Sequence, residues 1–140
     1  MLDYQRVENS GELPNIGHLK PFKAVVIIEL QVSEERQREI STWLVGSGCL
    51  YMLAWGEGCS SWDDSVDVAN LERFDFGDIP DEEFVMTTWH ETESLKDVFS
   101  FAHYWALAYD RNIELGNVLL LHLGNTDRSE EFKKLFEERE

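Results

Sequence analysis

Cys59 and His90 make the best nucleophile-and-base pair in this sequence. A thiol near a helix N-terminus and beside an imidazole becomes a thiolate at neutral pH, and a thiolate is the form that attacks. Asp63, Asp64 or Glu91 would orient the imidazole. The same carboxylates argue the other way, because like charge raises a thiol pKa. One Cys and one His also make no motif. The competing reading is a small loop residue at Cys59 and an exposed cap at His90.

Cys59, His90, His122 and a carboxylate would supply a plausible set of metal ligands. No two of them have a zinc-site spacing such as C-x-x-C or H-x-x-x-H, so neither a metal nor a cofactor is expected. His122 reads more simply as a core histidine that donates to a backbone carbonyl. Trp55, Trp62 and Trp89 fall near one rim, where tryptophan lines a pocket or anchors a partner through a large apolar body and one N–H. The plainer reading makes most of them caps on the core. Together with Asp63, Asp64 and Glu91 they are the candidate binding residues. No Walker-type loop is present, since Gly46-Ser47-Gly48 precedes a strand rather than following one.

These residues depend on the elements that carry them. Ala24-Val25-Val26-Ile27-Ile28 is a β-branched apolar run, the mark of a strand buried on both faces. Leu50–Trp55, Phe84–Trp89 and Val118–Leu123 read as three more strands. Helices are expected from Ser33, from Ser60 or Ser61, from Ser94 and from Ser129, each serine standing where an N-cap accepts a backbone N–H. From Leu95, apolar residues recur at helical spacing through Val98, Phe99, Ala102, Trp105, Ala106 and Tyr109. Strand–helix alternation predicts an α/β fold of three layers. A four-stranded, mostly parallel sheet would carry helices on both faces, Rossmann-like or flavodoxin-like, in the order 2-1-3-4. Residues 1–21, with Gly11, Pro14, Gly17 and Pro21, read as an irregular N-terminal arm, and 22–140 as a single domain. Ligands of such sheets gather beyond the strand carboxyl ends where strand order reverses, here between the first and third strands.

Composition narrows the function. The chain has 140 residues and a formal net charge of −16. From Glu57 to Glu93, twelve acidic residues face Arg73 alone, so that stretch holds −11 of the total. Such a surface repels phosphate backbones and anionic lipid, which excludes nucleic-acid and membrane-surface partners and favours a basic protein. Two cysteines make no disulfide framework, so a reducing cytoplasm is expected. The N-terminus has no charged start followed by an apolar run, so no signal peptide is expected.

The stretches Tyr51-Met-Leu-Ala-Trp-Gly, Cys59-Ser-Ser-Trp-Asp-Asp-Ser-Val-Asp and Phe84-Val-Met-Thr-Thr-Trp-His-Glu-Thr-Glu-Ser-Leu resemble a small uncharacterised bacterial α/β domain family of unknown function. The resemblance covers most of the chain after residue 20. It implies a bacterial source and brings no activity with it.

The leading expectation is a non-enzymatic acidic interaction domain, immunity-like, antitoxin-like or regulatory. It would present residues 57–93 to a basic partner, with Trp62, Phe74, Phe76 and Trp89 as anchors. The alternative is an enzyme or a small-ligand or metal-binding domain at the strand ends around Cys59 and His90. A homodimer through the 94–110 helix is a third expectation, resting on exposure of Phe101 and Tyr104.

Overall fold

Phe22–Ile28 (β2) is buried at all seven positions and lies in the middle of the sheet. Its β-branched run suits a strand with neighbours on both sides and cover on both faces. The computed structural model describes residues 1–104, 106 and 115–138. In chain order these form β1 (Leu2–Val7), β2, α1 (Glu34–Gly46), β3 (Cys49–Gly56) and α2 (Ser60–Arg73). β4 (Met86–His90), α3 (Leu95–Tyr104), β5 (Asn117–Leu123) and α4 (Ser129–Glu137) follow.

The sheet is parallel throughout, with the order β1-β5-β2-β3-β4. The α/β class and the parallel sheet hold. The expected count of four and the order 2-1-3-4 do not: the four expected strands run fourth-first-second-third, with a fifth outside them. Helix placement is the physical reason. α1 and α2 pack against each other and share one core with β2 and β3. When crossovers keep one hand, two successive helices on one face carry the chain one way, from β2 to β3 to β4. α3 and α4 share the core on the opposite face. A helix on that face returns the chain past β2, and so β5 lands on β2's other side.

The fifth strand comes from the expected irregular arm. Leu2–Val7 pairs along β5 from Leu2↔Val118 to Val7↔Leu123. Alternation explains it: Leu2 and Tyr4 pack on the α3–α4 side, while Asp3 and Gln5 project the other way. The rest of residues 8–21 crosses under α1. Ile16 and Leu19 are fully buried there, and the Trp43 indole donates to the Pro14 carbonyl (2.8 Å).

Two helix starts follow the sequence closely. Ser33 accepts the Arg36 N–H (3.1 Å) and Ser94 accepts the Asp97 N–H (3.1 Å). At α4, Ser129 is the first helical residue, and the Asp127 carboxylate accepts its N–H (2.7 Å). At α2 the N-cap position belongs to Cys59 and makes no side-chain cap bond. Gly56 ends β3 with φ of 111°, and a Cβ there would lie 2.3 Å from the Ile28 carbonyl oxygen. Only glycine lets the two strand ends approach this closely. Among the described residues no helix is long and apolar enough to cross a membrane.

Candidate functional site

The real strand order splits the expected site in two. β3 stands between β2 and β4, so the residues after β2 and those after β4 do not converge. Glu29 and His122 lie at the centre of the carboxyl rim. Trp55, Cys59, Trp89, His90 and Glu91 lie at one end of it.

At the centre, His122 is fully buried on the α4 side of the sheet. Its Nδ1 lies 2.6 Å from the Tyr4 hydroxyl and its Nε2 lies 2.6 Å from Glu29 Oε1. Arg128 donates to the other Glu29 oxygen and to Glu131, and its backbone N–H donates to the Tyr4 hydroxyl (3.1 Å). The Phe132 ring closes over the imidazole edge-on. His122 is thus a core histidine, but its partners are a phenol and a carboxylate rather than the expected backbone carbonyl. Partial burial pushes the Glu29 pKa up, but hydrogen bonds from Arg128 and His122 outweigh it and hold the carboxyl below 4.5. This network ties β1, β2 and β5 to the start of α4. Both ring nitrogens are engaged and the ring is closed from solvent, which suits a structural clamp.

At the β3–β4 end, His90 is also buried. Its Nε2 lies 2.9 Å from the Thr88 hydroxyl and its Nδ1 2.8 Å from Glu93 Oε1, with Phe101 of α3 edge-on to the ring. Cys59 belongs to the core on the other face, against α1 and α2. The structure brings the two residues near in backbone, since His90 makes a backbone hydrogen bond to the Cys59 thiol. Their side chains point to opposite sides of the sheet. Burial pushes the Cys59 thiol up; the His90 backbone contact offsets part of that and the Glu91 charge adds to it. Cys49 is pushed up to about 12 by burial.

The remaining candidates sort by exposure. Trp62 is buried in the α1–α2 core, and half-buried Trp55 donates to the Glu93 carbonyl (2.7 Å). Trp89 is 47% exposed, Asp64 and Glu91 face solvent, and Asp63 is half-buried. Asp63 and Asp67 stand one turn apart on α2, and both contact the Thr87 hydroxyl of β4. A hydroxyl has one proton, so it donates to only one of them at a time. Burial raises the Asp67 pKa, and the Asp63 charge raises it further.

Of the four anchors expected from the sequence, Phe76 and Trp89 are exposed, Phe74 is half-buried and Trp62 is buried; the other exposed apolar residues were not foreseen. Of the eight large ones among the described residues, six lie between Val68 and Trp89: Val68, Leu71, Phe76, Phe84, Met86 and Trp89. α2 ends in a Schellman turn, with the Phe76 N–H reaching the Leu71 carbonyl (2.8 Å). Asp75 and Phe76 both take left-handed φ there, 53° and 59°. Phe76 is thereby held 65% exposed at a conformational cost.

Elsewhere, Phe101 of α3 is half-buried against the core and Tyr104 is exposed. Trp105 and Tyr109, expected on the core face of that helix, lie outside the described residues. A cleft of about 370 Å³ opens at the amino rim, lined in part by Lys20, Val45, Cys49 and Glu82. It lies away from every candidate residue. Among the described residues, no three His, Cys, Asp or Glu side chains are placed to hold a metal ion.

The chain belongs to a family described as a domain of unknown function, DUF7684, whose model matches residues 2–139. No curated protein and no solved structure matches it.

Two outcomes follow from Glu29 and the two thiols. Glu29 has a lower pKa folded than unfolded, so as pH falls below about 4.5 the unfolded chain takes up the proton first. The stability Glu29 supplies is present above that pH and is lost as pH falls through the folded value. Glu29→Gln therefore lowers stability near pH 7 by about 1 kcal/mol, a partly exposed pair being worth less than a buried one. Its urea midpoint then falls less steeply than the parent's below pH 4.5. The thiols give the second outcome: Cys49 and Cys59 resist an aromatic disulfide reagent at neutral pH and both react once urea unfolds the chain. A Cys59 that reacts in the folded protein with a midpoint near pH 6 to 7 contradicts this reading.

Proposed function

We propose that this chain is an acidic interaction domain that captures a basic protein partner on the surface built by residues 57–93. One observation carries the reading: exposed apolar side chains and excess negative charge fall in the same stretch. Charge alone has a bland explanation in solubility, and scattered apolar residues need none. Their coincidence matches the anatomy of a binding patch, with aromatic anchors inside a charged surround.

Two features support the sign of the partner. Asp63 and Asp67 compete for one hydroxyl proton, so a lysine or arginine arriving beside them relieves repulsion within the domain. The −11 carried by residues 57–93 also steers a basic partner toward this face and slows its loss at low salt. An enzyme centred on Cys59 and His90 draws no such support. Its thiol is raised and buried, and both nitrogens of its imidazole are engaged by Thr88 and Glu93.

The test compares two double charge reversals of equal size. Asp64→Lys with Glu91→Lys changes the proposed face; Glu12→Lys with Glu130→Lys changes exposed acids outside it. Binding of an arginine-rich peptide, followed by fluorescence anisotropy at low ionic strength, falls about tenfold or more for the first pair. It falls markedly less for the second. Equal losses from both pairs would mean that net charge, and no particular surface, governs binding.

A further inference from the structure

Resting on that reading, we infer that the partner is held by strand addition. An extended basic segment pairs with the open edge of β4 and continues the sheet. β4 pairs with β3 from Tyr51↔Met86 to Trp55↔His90, and among the described residues nothing pairs with its outer side. Alternate residues of a parallel strand turn both N–H and C=O outward, so this edge presents unfilled donors and acceptors.

Sheet edges normally carry devices against such pairing: charges, proline or bulges. The opposite edge has them, since β1 includes Asp3 and Arg6. β4 is Met86-Thr87-Thr88-Trp89-His90, with no proline, lysine or carboxylate, and its register is unbroken. The charges stand around the edge instead, on α2 and on the segment after β4. That placement leaves the backbone open while choosing what docks on it. A second copy of this chain would set acidic flank against acidic flank, at −16 per chain, so edge-to-edge dimers are opposed. A basic strand meets the opposite situation.

Strand parity specifies the segment further. The Thr87 side chain bonds Asp63 and Asp67, so Thr87 and Trp89 face α2. Met86, Thr88 and His90 face the α3 side. Side chains of an added strand alternate in the same way. Those on the α2 side meet the carboxylates and the exposed Trp89 ring, a place for arginine or lysine. Those on the other side lie beside Met86, which is 42% exposed, a place for apolar residues. The occupant is thus an extended segment in which basic and apolar residues alternate.

The probe is a capped octapeptide of alternating arginine and valine, compared with the same peptide methylated at every backbone nitrogen. Charge and side chains are kept, but the methylated form has no N–H to give a sheet. At low ionic strength the unmethylated peptide binds and slows amide exchange within residues 86–90. The methylated peptide binds about tenfold weaker or worse. Equal binding by both, or binding that leaves exchange at 86–90 unchanged, overturns strand addition while leaving the acidic surface standing. No binding by the unmethylated peptide overturns the acidic-surface reading and strand addition with it.

Discussion

A parallel sheet must be covered on both faces, and the rest of this structure follows from how four helices meet that demand. β2 has no exposed position, so each of its apolar side chains needs a helix above or below it. Burial of each Phe, Val or Ile contributes about 1.5–3 kcal/mol relative to exposure. α1 and α2 cover one face and α3 and α4 the other. Covering the faces fixes the strand order and does nothing for the edges. One edge is closed off by charge on β1. The other, β4, ends the sheet with backbone groups turned outward.

The two buried histidines belong to the covering of the faces. Each sits on the α3–α4 side near a strand carboxyl end, and each spans a hydroxyl and a carboxylate. His122 joins β1, a strand only partly buried, to β2 through Tyr4 and Glu29. His90 links the end of β4 to the turn at Glu93 that starts toward α3. A buried polar group costs little when all its partners are supplied, and a great deal when one is removed. Such networks fix a strand end more firmly than apolar contact alone, because they tolerate only one arrangement.

Much of this was legible in residue order. The β-branched run of β2, the apolar β3 and β5, and the period of α3 each announce an element by local pattern. Strand order was not legible, since it depends on the face each helix takes and four apolar strands look alike. β1 escaped because Leu2-Asp3-Tyr4-Gln5-Arg6-Val7 is stabilised by β5, more than a hundred residues away. Its only local sign was alternation, visible at Leu2 and Tyr4. The Cys59–His90 pairing took no account of parity. His90 follows Trp89 by one residue, and one residue reverses the face. The acidic excess could be counted from composition. Trp89 was expected as an anchor beside it, but that Met86 stays uncovered could not be read, because exposure is a property of the whole sheet.

The outer edge of β4, unpaired among the described residues, is therefore what the functional account stands on. Native-state amide hydrogen exchange of the free protein examines it without any partner. The account predicts that outward amides within Met86–His90 exchange orders of magnitude faster than those of Phe22–Ile28, which open only with global unfolding. Protection at 86–90 equal to that of β2, in a protein that is monomeric by sedimentation, would mean the edge is already filled by its own chain and would contradict the account.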